Sequence, residues 1–92
     1  MSPVALAEGD WQAMYYVYII RSLRFPSERY IGVTHDVDQR LAKHNAGGSP
    51  HTAKFMPWAL ETVIGFSEEK KAHAFERYMK SGSGFAFAKK HF

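Results

Sequence analysis

The chain contains no cysteine, which excludes disulfide staples, cysteine-based zinc sites and a thiol nucleophile. It also lacks any apolar run near the roughly 20 residues needed to cross a bilayer. Residues 1–13 mix Pro3, Gly9 and Asp10 with small side chains, a stretch too acidic and too weakly apolar for a signal peptide. These absences lead us to expect a cytoplasmic protein with no membrane partner. No internal repeat, low-complexity tract or second metal-binding cluster interrupts the 92 residues. One small domain is therefore expected, near the lower limit for a self-sufficient core.

What is present argues for a folded globule, with 46% hydrophobic and 15% aromatic residues. A formal net charge of +3 and a pI near 9.3 suit a polyanionic partner, although many housekeeping proteins are equally basic. We read residues 1–13 as a flexible extension, with Trp11 docking on a domain that occupies 14–92.

The run from Tyr15 to Ile20 is almost wholly β-branched or aromatic and predicts a buried strand. Ser22 to Glu28, with Pro26, predicts a hairpin loop. Tyr30-Ile31-Gly32-Val33 is the returning strand, in which Gly32 permits close approach by another backbone or a ligand. Tyr16 and Tyr18 share one face of the first strand, and Tyr30 is placed to make a cross-strand pair with Tyr18. Such tyrosines are also ordinary strand formers on a half-buried sheet. Asp36 reads as a helix N-cap, with Gln39 completing a capping box. Val37 and Leu41 then face the sheet, while Arg40 and His44, four apart, present two basic groups on one face. Gly47-Gly48 stops this helix.

Ser49-Pro50 opens a short helical turn over His51 to Lys54, and Trp58 to Phe66 reads as a third strand after Pro57. Trp58, Leu60, Val63 and Ile64 are expected to fill the core. A helix begins at Ser67-Glu68-Glu69 with Ala72, Phe75 and Met79 on its buried stripe. Glu76 borders that stripe, where an unpaired carboxylate is costly; an ion pair with Lys80 is the plain explanation. Ser81-Gly82-Ser83-Gly84 closes the helix. Phe85 to Phe92 forms a last one, with Phe85, Phe87 and Phe92 expected against the sheet. The order of elements fits an α+β domain with a small, mainly antiparallel three-stranded sheet flanked by helices.

Tyr16-Val17-Tyr18 and Tyr30-Ile31-Gly32, followed by Arg40, resemble the paired triplets of the GIY-YIG nuclease domain. Tyr16 and Val17 stand where the first triplet has Gly and Ile, but its terminal tyrosine is kept. The resemblance extends over about Tyr15 to Phe92 and is nearest to the small single-domain bacterial members of the family. It implies a metal-dependent endonuclease acting on nucleic acid, with DNA preferred to RNA. Glu76 matches the family's metal ligand and would hold one Mg²⁺ or Mn²⁺, hard cations that keep most of their waters. Tyr30 would be the general base, and Arg40 would stabilise charge on the phosphoryl oxygens. Tyr18 and His44 would orient the water or relay its proton. Arg21, His51 and Lys54 are weaker candidates for holding the nucleic-acid backbone. The family's late asparagine has no counterpart here: its position falls near Ala88, leaving Ser81, Ser83 or His91 to replace it. The rival readings are a non-catalytic nucleic-acid-binding module on the same basic, aromatic face, and a protein-interaction module using Trp11 and the terminal phenylalanines.

Overall fold

The computed structural model describes residues 14–92, so the expected extension over 1–13, with Trp11, lies outside the described residues. The elements run β1 (Tyr15–Ser22), β2 (Arg29–Thr34), α1 (Val37–Asn45), α2 (Pro50–Ala53), β3 (Trp58–Phe66), α3 (Glu69–Met79) and α4 (Gly82–His91). The three strands form one antiparallel sheet in the order β2-β1-β3. No helix among the described residues is long and apolar enough to cross a membrane.

β1 is central because Val17, Tyr18, Ile19 and Ile20 are all buried, as a strand covered on both faces requires. Tyr18 and Ile20 point to one side, with Trp58, Tyr30, Val37, Leu41 and Phe55. Ile19 points to the other, with Met79, Ala88, Ile31 and Phe75. One layer is therefore built by α1 and the turn after it, and the other by α3 and α4.

The first of these layers is fastened mainly by side chains. Asp36 caps α1 by accepting from the Gln39 amide at 2.9 Å. The return half of the expected capping box is absent, because the Asp36 amide donates to the Thr34 hydroxyl at 3.1 Å instead. Asn45 clasps the start of β3: its Nδ2 donates to the Trp58 carbonyl at 3.0 Å, and its Oδ1 accepts from the Trp58 amide at 2.6 Å. The Trp58 indole in turn donates to the Thr52 carbonyl at 3.0 Å.

Two expectations about the core fail. Leu60 and Val63 are 42% and 40% exposed, because β3 is an edge strand and helix α1 covers only its Trp58 end. Phe85, Phe87 and Phe92 are also exposed; in α4 the residues facing inward are Gly84 and Ala88, one helical turn apart. That small-residue face lets α4 approach closely, and a Cβ on Gly84 would meet the Tyr78 carbonyl oxygen at 1.8 Å. Gly84→Ala should therefore destabilise the fold by about 1–3 kcal/mol or more, read from the denaturation midpoint. Phe85→Ser, at a 61% exposed position, should change stability by no more than about 0.5 kcal/mol.

Candidate active site

The register of the β1–β2 pair sets the site. Tyr18 lies opposite Gly32, and Tyr30 lies opposite Ile20. The two tyrosines thus make the expected cross-strand pair as diagonal neighbours, with ring centroids 6.2 Å apart. Tyr18 extends over Gly32, where a Cβ would stand 2.6 Å from its hydroxyl. The close approach permitted by Gly32 is used by the chain's own tyrosine.

Beyond Gly32 the Tyr18 hydroxyl meets His44 Nε2 at 2.9 Å. His44 Nδ1 lies 2.7 Å from the Thr52 hydroxyl, which donates to the Ser49 carbonyl at 3.4 Å. With the Thr52 proton directed at Ser49, the network assigns His44 as the Nδ1–H tautomer, donating to Thr52 and accepting from Tyr18. His44 is only 2% exposed. Burial, followed by the charges of Arg40 and Lys43, holds its imidazole below the ordinary value of 6.5. The pair of basic groups expected on α1 is therefore one guanidinium beside one neutral imidazole.

Burial raises the Tyr18 hydroxyl above the usual phenol value of 10.0; Arg40 beside it pulls the value back, and Tyr30 and Glu76 push it up. Arg40, Tyr30 and Glu76 thus all lie near enough to act on one phenol. Tyr30 is half-buried, with its ring 4.9 Å from that of His44 and 6.2 Å from that of His51. Arg40 lines an open cleft of about 320 Å³ between α1 and α3, together with Val33, Gln39, Glu69 and His73.

Glu76 comes from the opposite layer, on α3, with a side chain 19% exposed. Its Oε2 accepts from Lys80 Nζ at 3.2 Å, the ion pair expected from spacing. Its Oε1 lies 3.6 Å from His73 Nδ1. Among the described residues no group of three His, Cys, Asp or Glu forms a metal cage. A lone, partly open carboxylate, once released from Lys80, suits Mg²⁺ or Mn²⁺, which retain waters and share substrate phosphates. It does not fit the three or four protein ligands of a zinc site.

The weaker candidates separate. Arg21 points to the α4 side of the sheet, where Glu61 accepts from its Nε at 2.7 Å and also from its NH2. Pro26 accepts from the same guanidinium at 2.8 Å, so Arg21 is held away from Tyr18. His51 is exposed beside Tyr30, and Lys54 lies over the Phe55 ring at 5.4 Å. Ser81 is engaged as the α4 cap, accepting from the Gly84 amide at 3.1 Å and donating to the Tyr78 carbonyl at 2.6 Å. The His91 ring packs against Phe87 at 4.6 Å. Thr52, which fixes the His44 tautomer, was not visible in the sequence: it lies in a polar turn, and its link to His44 exists only in space.

Residues 14–90 match the family described as the GIY-YIG catalytic domain. The chain belongs to the GIY-YIG family. Among curated GIY-YIG relatives it is 40% identical over 70 residues to the structure-specific endonuclease subunit slx1 of Talaromyces marneffei, covering 70% of this chain and 18% of that protein. It is 37% identical over 76 residues to the structure-specific endonuclease subunit SLX1 of Malassezia globosa, covering 78% of this chain and 17% of that protein. The chain thus spans less than a fifth of the length of these relatives.

The lowered His44 value makes a prediction about stability. The unfolded chain takes up a proton at His44 below about 6.5, whereas the folded chain resists it. The stabilisation is complete above that pH and is lost as pH falls through the lower folded value. Denaturant unfolding of the parent should therefore lose stability from pH 7.5 to 5.5 more steeply than that of His44→Gln. Parallel pH profiles would refute the assignment.

Proposed function

We propose that this domain hydrolyses phosphodiester bonds in nucleic acid, DNA in preference to RNA, with one Mg²⁺ or Mn²⁺ held by Glu76. The observation that carries the reading is the cluster of the Tyr18, Tyr30 and His44 rings, 4.9 to 6.2 Å apart, with Arg40 and Glu76 near enough to act on the Tyr18 hydroxyl. The names of the curated relatives, structure-specific endonuclease subunits, support the same reaction and a substrate chosen by shape.

When bound, the divalent cation would polarise the phosphate and offset charge on the leaving oxygen. Tyr18 is unsuited to be the base, since burial keeps its proton and that proton is directed at His44. Its remaining lone pairs accept from a water and orient it. Neutral His44, fixed by Thr52, holds Tyr18 in that role. Tyr30 lines a small cavity with His51 and Thr52 and makes no hydrogen bond to another described side chain, so its oxygen is available to take the water's proton. It would do so as the phenolate, the form that a divalent cation bound nearby favours. Arg40 supplies a fork of donors for the phosphoryl oxygens as their charge grows.

The test is incubation of the protein with labelled branched, duplex and single-stranded DNA and RNA, with and without Mg²⁺ or Mn²⁺. Metal-dependent cleavage is expected; salt-sensitive binding with no cleavage would establish the binding-module reading instead. Tyr30→Phe should reduce cleavage by about a hundredfold to ten-thousandfold while leaving the fold intact. Glu76→Gln should abolish most cleavage yet keep or slightly strengthen metal-free binding, because a negative charge near the phosphate is removed. Arg40→Ala should weaken both. Parental cleavage by Glu76→Gln would remove the metal role from this residue.

A further inference from the structure

The tip of the β1–β2 hairpin and the turn from α2 into β3 are joined into one surface. The buried Ser22 hydroxyl donates to the Phe55 carbonyl at 2.6 Å and accepts from the Phe25 amide at 3.0 Å. The Leu23 amide donates to the Pro57 carbonyl at 2.9 Å. Above these bonds the Phe25 and Phe55 rings meet edge to face at 5.7 Å. Each ring carries its own cation: Arg24 lies 5.2 Å from the Phe25 centroid, and Lys54 lies 5.4 Å from that of Phe55. Neither cation pairs with a carboxylate among the described residues. Phe25 is 43% exposed, and Leu23 and Met56 beside it are exposed as well.

An exposed apolar surface bordered by unpaired cations is unusual for a face that only meets water. Its chemistry answers one kind of partner, a flat apolar ring on an anionic backbone. The surface also adjoins Tyr30: Phe55, His51 and Tyr30 line one small cavity, and Phe55 packs edge to face against Trp58. We propose that this hairpin platform docks an unpaired nucleotide next to the phosphodiester held at Tyr30, its base stacking on Phe25 and its phosphate drawing Arg24 and Lys54 off the rings. The proposal rests on the nuclease reading, and it adds a site for unpaired bases to it. Duplex bases are already stacked on each other and do not offer a free face, so the platform distinguishes single strands from duplex. The Ser22 hydroxyl bonds and the backbone bond from Leu23 to Pro57 hold it in place before binding, which limits the ordering cost.

The test is metal-free binding of the full chain to a labelled duplex, the same duplex with a single-stranded tail, and the tail strand alone, followed by fluorescence anisotropy. Phe25→Ala should weaken binding of the two substrates with unpaired bases by about tenfold, as loss of one stacked base does, with the plain duplex unchanged. Phe25→Trp should restore it, which excludes collapse of the hairpin as the cause. The parent should also quench 2-aminopurine in the tail, and Phe25→Ala should not. Arg24→Ala should reduce the slope of log affinity against log salt by about 1. Equal loss on all three substrates would make the surface a general backbone contact, and unchanged binding would assign it to another class of partner such as a protein; either overturns the proposal. The nuclease reading fails separately. If the parent shows the tail preference but never cleaves with metal, the platform stands and the hydrolysis does not; if it cleaves without any tail preference, the reverse holds.

Discussion

The site depends on the hydrogen bond between the Tyr18 hydroxyl and His44. Both residues are buried, and leaving either polar group unsatisfied there costs about 1–3 kcal/mol. The bond forms only because Gly32 leaves a gap over β2 and because Thr52 turns His44 so that Nε2 accepts. One contact therefore ties the central strand to α1 and, through Thr52, to α2. Asn45 and Trp58 extend the same fastening to β3. A side chain in such a network has little freedom to move, which suits a group whose task is to orient a water.

The charges around this network come from two layers. Arg40 stands on α1, which packs on the Tyr18 face, whereas Glu76 stands on α3, which packs on the Ile19 face. Both lie near enough to act on the Tyr18 hydroxyl, and α1 and α3 share the lining of one cleft through Arg40, Glu69 and His73. An edge strand normally leaves unpaired backbone groups and invites association. Here Val33 and Thr34 of the edge strand β2 line an open cleft together with charged side chains of both helices. Buried next to Arg40, His44 favours the neutral imidazole, since a positive charge there would be poorly solvated and repelled.

Much of this was legible in the residues. The dense β-branched and aromatic run around Val17 to Ile20 marks a strand covered on both faces. The Asp36 cap, the Ala72–Phe75–Met79 stripe and the limits of β3 follow from spacing alone. The failures share a cause. Leu60, Val63, Phe85 and Phe87 are apolar at plausible positions, but local pattern does not say whether another layer exists to cover them. In α4 the decision belongs to Gly84, whose missing side chain lets the helix seat on Tyr78, and glycine carries no hydrophobic signal. Thr52 and Asn45 are invisible for a different reason: each makes specific bonds to residues outside its own helix, and no period encodes them. Thr34 displaced Gln39 from the capping box because two residues of separation suffice for its hydroxyl to reach the Asp36 amide.

The distribution of cations sharpens what the modest net charge means. Arg21 and Arg29 are both committed to Glu61 on the α4 side of the sheet, where they close a three-residue ion cluster. On the Tyr18 side, Arg24 and Lys54 meet only aromatic rings, and Arg40 meets a phenol. Three cations with no carboxylate partner among the described residues, Arg24, Arg40 and Lys54, therefore stand by the face that carries the tyrosines, while others, such as Lys89 and Lys90, stand on α4. An ion pair already formed must be broken before it can hold a phosphate, whereas an exposed cation over a ring gives up at most about 1 kcal/mol. The same number of basic residues, distributed so that every one had a carboxylate, would leave the cleft with its shape but without its attraction for a polyanion.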